Sequence, residues 1–113
     1  MDKRKTIKGS PVFEVTMQDL AASAEYVYGF ESDDNIQKFL PLNFVRILNK
    51  TGCNLKIYLS QGTYGEVILD DTVYSNYGNF YSFKLENLDD TDTAEGANMF
   101  CTVQRKPAGV SNG

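Results

Sequence analysis

Between Asn43 and Leu59 the chain reads NFVRILNKTGCNLKIYL, a pattern that commits it to a sheet. Val45, Ile47 and Asn49 alternate with Phe44, Arg46 and Leu48; beyond Asn49-Lys50-Thr51-Gly52, Leu55, Ile57 and Leu59 alternate with Asn54, Lys56 and Tyr58. A period of two, rich in β-branched and aromatic residues, puts one set of side chains on each face of a pleated strand, and a glycine marks the break where a turn belongs. The stretch is predicted to be a hairpin of two strands joined through Gly52, with the rest of the chain packed around it.

The same period recurs elsewhere. Val12 to Met17 sets Phe13, Val15 and Met17 against Glu14 and Thr16, a first strand with edge character. Glu25 to Phe30 lines up Tyr26, Tyr28 and Phe30. Tyr64 to Leu69 and the short Thr72-Val73-Tyr74 follow. Phe80 to Leu88 sets Tyr81, Phe83 and Leu85 against Ser82, Lys84 and Glu86, and Met99 to Gln104 closes the series. Ser60-Gln61-Gly62, Asp70-Asp71, Ser75 to Asn79 and Asp89 to Asn98 read as turns or loops, with Thr91 or Thr93 able to cap a short turn through Ala94 and Ala97. Gln18 to Ala24 fits either one helical turn or the start of a strand. Ser32 or Asp33 can cap a one- to two-turn helix carrying Ile36, Phe39 and Leu40, which Pro41 ends and which would plug an open end of the sheets.

Seven or eight short strands without a helix of crossover length specify an all-β fold: a small antiparallel β-sandwich or jelly-roll-like barrel with one short helix. At 113 residues one domain is expected, spanning 11–105 between a flexible basic arm at 1–10 and a flexible tail at 106–113. Several strands are apolar on both faces: Phe44 and Leu48 lie opposite Val45 and Ile47, and Phe100 opposite Cys101 and Val103. That surplus needs cover from loops, the helix or another subunit, which makes Phe44, Leu48, Tyr58, Phe80, Tyr26 and Tyr28 the candidate subunit contacts.

Catalytic patterns are scarce. There is no histidine, so the usual neutral-pH base and the Ser-His-Asp and Cys-His arrangements are missing, and no glycine-rich phosphate cradle is present. No enzymatic activity and no cofactor are expected. Glu66 and Glu86 are the candidate carboxylate pair, on strands that a cleft could bring together. Asp70 and Asp71 read as turn residues. No metal site is expected beyond one calcium alternative, Asp89, Asp90, Asp92 and Glu95, in a loop lacking the EF-hand glycine and spacing. Cys53 and Cys101 form no CxxC pair and are expected to remain thiols in a reducing compartment.

Lys3, Arg4, Lys5 and Lys8 against Asp2 give residues 1–8 a local charge of +3, while the remainder carries seven basic against fourteen acidic residues. An acidic body disfavours nucleic acid except through the arm. No apolar run approaches membrane-spanning length and the start lacks a signal-peptide core, so neither membrane insertion nor secretion is expected.

The order of FVRILNKTGCNLKIYL, a tyrosine-rich middle, YSFKLENL, a polar threonine-alanine loop and a closing MFCTVQ, residues 44–104, resembles the small all-β structural proteins of bacteriophage or other virus particles. The resemblance implies a capsid, vertex, spike-base or cement subunit that forms homo-oligomers with other virion proteins after assembly in the host cytoplasm; otherwise the chain would be cytoplasmic. The alternative is a carbohydrate-binding-like β-sandwich module, with Tyr64, Tyr74 and Tyr77 as platforms beside Asp70, Asp71, Asn76 and Asn79.

Overall fold

A computed structural model describes residues 11–59 and 64–106. The arm predicted at 1–10, and the predicted tail beyond Lys106, lie outside the described residues.

Among the described residues eight strands are formed: β1 (Val12–Val15), β2 (Glu25–Gly29), β3 (Leu42–Asn49), β4 (Leu55–Leu59), β5 (Glu66–Ile68), β6 (Thr72–Phe80), β7 (Ser82–Asn87) and β8 (Met99–Gln104). They make two four-stranded antiparallel sheets, ordered β1-β8-β3-β6 and β2-β7-β4-β5. The pairings β1 with β8, β2 with β7, β3 with β6 and β4 with β5 are those of one long antiparallel ribbon folded back between β4 and β5. Rolling that ribbon adds the β3–β8 and β4–β7 pairings and brings the two sheets face to face. Among the described residues neither sheet closes into a barrel.

The inward side chains are those that the alternation assigns to one face. Val45 and Ile47 from β3, Leu55 and Ile57 from β4, Phe83 and Leu85 from β7, and Cys101 and Val103 from β8 are all buried in a single core. Burial of this kind stabilises by about 25 cal/mol for each Å² of apolar surface removed from water, which is what holds a two-layer fold together.

The predicted hairpin does not form. β3 and β4 belong to different sheets, so Asn49-Lys50-Thr51-Gly52 is a crossing between layers. Asn49 enforces the crossing: fully buried, it donates from Nδ2 to the carbonyls of Cys53, Ile68 and Leu69 at 2.9, 3.1 and 3.2 Å and accepts from Thr51 N and Oγ1 at 3.1 and 2.7 Å. Gly52 sits at φ +82°, where a Cβ would be strained. Asn87, also fully buried, holds the neighbouring loops: its Nδ2 donates to the carbonyls of Leu20, Ala21 and Asp92 at 3.1, 3.3 and 2.9 Å, and its Oδ1 accepts from Asp89 N at 2.9 Å.

Three further expectations are corrected. Ser75 to Asn79, read as a loop, lies inside β6, because β3 supplies backbone partners through a bulged register near Phe44. Phe80 to Leu88 is not one strand: Phe80 ends β6, and β7 starts at Ser82 in the other sheet. The predicted helix shrinks to one 3₁₀ turn, Gln37–Phe39; Asp33 Oδ1 accepts from Asn35 N and Ile36 N, but Leu40 is already extended ahead of Pro41.

Candidate interaction surfaces

The register fixes which side chains share the outer face of the first sheet. One cross-strand row runs Val12, Gln104, Phe44, Tyr77; the next runs Glu14, Thr102, Arg46, Ser75; the third runs Phe100, Leu48, Val73. Two rows with apolar members therefore flank a polar one. Phe100 is 57% and Val73 50% exposed, with Leu48 half-buried between them. In the first row, Phe44 and Tyr77 lie 4.9 Å apart by ring centroid, and Lys106 Nζ sits 4.1 Å from the Phe44 ring while donating to Tyr77 Oη at 3.1 Å.

The outer face of the second sheet has a different chemistry. Tyr58 donates to Glu86 Oε1 at 3.2 Å, and Lys84 Nζ lies 4.5 Å from the Tyr58 ring and 3.2 Å from the Glu25 carboxylate. Tyr58 is thus engaged within its own chain, on the face opposite the core. Cross-linked charges of this kind are satisfied in water and have little to gain from a partner.

Other candidates are redistributed. Phe80 is fully buried and Tyr28 nearly so, which corrects their assignment as subunit contacts: Phe80 packs near Phe30, and Tyr28 stacks on Phe83 and accepts from Gln18 N at 2.9 Å. Tyr26 stays at the margin of the second sheet, 45% exposed. The proposed sugar platform comes apart. Tyr74 and Tyr77 occupy opposite faces of β6, Tyr64 is an exposed residue just before β5, Asn79 is exposed, and Asp70 and Asp71 serve the turn. Asp70 Oδ1 accepts from Gly52 N at 2.7 Å, and Asp71 pairs with Lys50.

Tyr74 and Asn76 instead bridge the layers. Tyr74 Oη donates to Glu66 Oε1, to which Asn76 Nδ2 also donates at 3.0 Å, so β6 of the first sheet is tied laterally to β5 of the second. Glu66 shares the Ile57 side of its sheet whereas Glu86 shares the Lys56 side, so these two carboxylates do not converge. Burial and the Glu66 carboxylate push the Tyr74 phenol up to about 12. A folded-state value above the unfolded one means the native state holds its proton longer, so this contribution is complete below about pH 10 and is lost between there and 12. Urea midpoints measured from pH 9 to 12 should fall with a steeper slope in the parent than in a Tyr74→Phe variant.

In the calcium candidate loop, Asp89 Oδ1 accepts from Thr91 N, Thr91 Oγ1 and Asp92 N at 2.8, 3.0 and 2.9 Å, and these bonds hold its carboxyl below the usual range. Asp90, Asp92 and Glu95 are exposed around it, and no group of three or more metal-ligating side chains gathers among the described residues. Cys53 and Cys101 are both free and buried; burial pushes the Cys101 thiol up to about 12 and raises that of Cys53.

Sequence reasoning named Leu48 as a candidate subunit contact and Phe100 only as surplus apolar surface. Phe100 was visible as an apolar residue on the non-core side of its strand; Val73 was not, because its place beside Leu48 depends on β6 continuing past Tyr74. No family model, no curated protein and no solved structure matches the chain.

Proposed function

We propose that the chain is a non-enzymatic structural assembly protein that works as a homo-oligomer, and that its setting is a virus particle, assembled in the host cytoplasm with other virion proteins. The observation that carries this reading is the outer face of the first sheet, where the exposed Phe100 and Val73 flank the half-buried Leu48 in one apolar row across three strands, whereas on the second sheet's outer face the exposed Val27 and Val67 stand apart, separated by Lys84, Glu86 and Lys56. Exposed apolar surface gathered on one face and rimmed by polar groups is the mark of a contact site. The strand order, a ribbon rolled into two layers, supports the jelly-roll description, and the resemblance of residues 44–104 to particle proteins supports the setting.

Sedimentation over a wide concentration range, at low and physiological salt, tests the reading. A stable oligomer is expected, and Leu48→Lys, which places a charge in the middle of the apolar row, should weaken association at least about tenfold, a change of roughly 1.4 kcal/mol. A 12.7 kDa monomer at every concentration would sink self-assembly.

A further inference from the structure

The lateral sides of the sandwich are unlike. On one, Glu66, Tyr74 and Asn76 tie β5 to β6. On the other, β1 and β2 stand apart around an open cleft of about 280 Å³, lined by Glu14, Val15, Tyr26 and Tyr28 among others. The four edge strands also differ in how they are guarded. β1 is four residues long and follows Pro11; β5 has three residues; β6 is bulged at its Phe80 end and tied to β5 through Tyr74 and Asn76 over the regular stretch. Short strands, proline and bulges are the usual means of blunting a sheet edge. β2 has five residues, a regular register with β7, no proline and no bulge.

The free hydrogen-bonding groups of β2 follow from its pairing. Asn87 N donates to the Ala24 carbonyl at 2.9 Å and Phe30 N to the Tyr81 carbonyl at 3.2 Å, both in line with the β2–β7 register. In an antiparallel pair alternate residues turn their N–H and C=O toward the neighbour, so Tyr26 and Tyr28 also face β7. Glu25, Val27 and Gly29 therefore direct their backbone groups to the open side. On that strand Val27 is 58% exposed on the outer face and Tyr26 45% on the other, beside the Glu25 carboxylate and the bare backbone of Gly29.

We infer that β2 is where a second copy of this chain docks, strand to strand and antiparallel about a two-fold axis at Val27. That register pairs all three open residues at once: Val27 faces Val27 of the second copy, Glu25 faces Gly29, and Tyr26 faces Tyr28. Glu25 thereby avoids its own counterpart, since like charges directly opposite destabilise a pair. The edges join into one eight-stranded sheet, an isologous contact that closes on itself. This rests on the assembly reading and adds to it a second contact, distinct from the one through the Leu48 row.

The test combines backbone amide exchange on the full chain with sedimentation. The Glu25, Val27 and Gly29 amides, open in the monomer, should exchange at least tenfold more slowly at concentrations where the oligomer forms. Val27→Lys sets two ammonium groups at the axis without touching the core and should raise the dissociation constant at least tenfold; Val67→Lys, the same change on edge strand β5, should leave it unchanged. An oligomer whose β2 amides stay fast, or one indifferent to Val27→Lys, overturns the β2 interface and leaves self-assembly standing through another surface. A monomer at every concentration overturns both.

Discussion

An Asn87→Asp variant is expected to lose roughly 3 to 5 kcal/mol of unfolding free energy at pH 8, the scale of leaving a buried charge without a partner. The exchange is nearly isosteric, so packing is kept and the hydrogen bonds alone are altered. Asn87 Nδ2 donates to three carbonyls, and a carboxylate oxygen in its place would face the Leu20, Ala21 and Asp92 oxygens with nothing to give them. The new carboxyl would have a raised pKa in the folded state, since burial and surrounding oxygens disfavour its charge. Its penalty is therefore least below the unfolded value of about 4 and grows as pH rises above it. Urea unfolding at pH 4 and pH 8 should show a gap from the parent that widens at the higher pH; coincident curves at pH 8 would show that the three carbonyls do not depend on this amide. Against a total stability of about 5 to 15 kcal/mol for a domain, the loss is large enough to leave part of the population unfolded.

Gly96→Ala is the second large effect. A Cβ on Gly96 would lie 2.2 Å from the Met17 carbonyl oxygen, 2.7 Å from its carbon and 3.0 Å from the Gln18 carbonyl carbon, all backbone atoms. That backbone is pinned: Gly96 N donates to Asp19 Oδ1 at 2.8 Å, and Leu20 and Ala94 exchange two hydrogen bonds of 2.8 Å. A shift to relieve the clash must break these bonds, so the cost should reach about 3 kcal/mol, the upper end for overpacking. Thermal unfolding should record a drop on the order of 10 °C or more. Gly65→Ala supplies the contrast. Its nearest obstacles are side-chain atoms, Lys56 Cε at 2.6 Å, Tyr58 Cε2 at 2.7 Å and Lys56 Cγ at 2.9 Å, which can move at the expense of the Tyr58 contacts with Glu86 and Lys84, and a loss of about 1 kcal/mol is expected. Equal losses in the two variants would refute the close approach of the two backbones.

The faces of the strands were legible because alternation is a local property. Val45, Ile47, Phe83 and Leu85 point inward as their period demands. Which strand lies beside which was not. Asn49-Lys50-Thr51-Gly52 suits a hairpin turn as well as a crossing between layers, and the choice is made by carbonyls at residues 68 and 69 that no local window contains. Ser75 to Asn79 looked like a loop because an edge strand facing water tolerates serine, asparagine and glycine; its extended form comes from pairing with β3. The apolar row was legible by halves. Leu48 and Phe100 stood out as surplus apolar residues, but their meeting with Val73 is a matter of register across three strands. Asn87 fell on an inward-facing position of its strand, yet nothing local distinguished a buried bracket from a surface amide.

The rolled ribbon also governs when the chain can fold. Among the described residues Val12–Val15 finds its sheet partner only in Met99–Gln104, and Glu25–Gly29 only in Ser82–Asn87, so these two strands wait for partners far along the chain. No early half holds a complete layer. The native order therefore closes only when residues far apart in the chain have met, and the folding rate is set by the search for distant partners, on the order of milliseconds to seconds for such topologies. In that interval the β-rich segments are exposed to one another at whatever concentration synthesis provides, and correct folding competes directly with premature association.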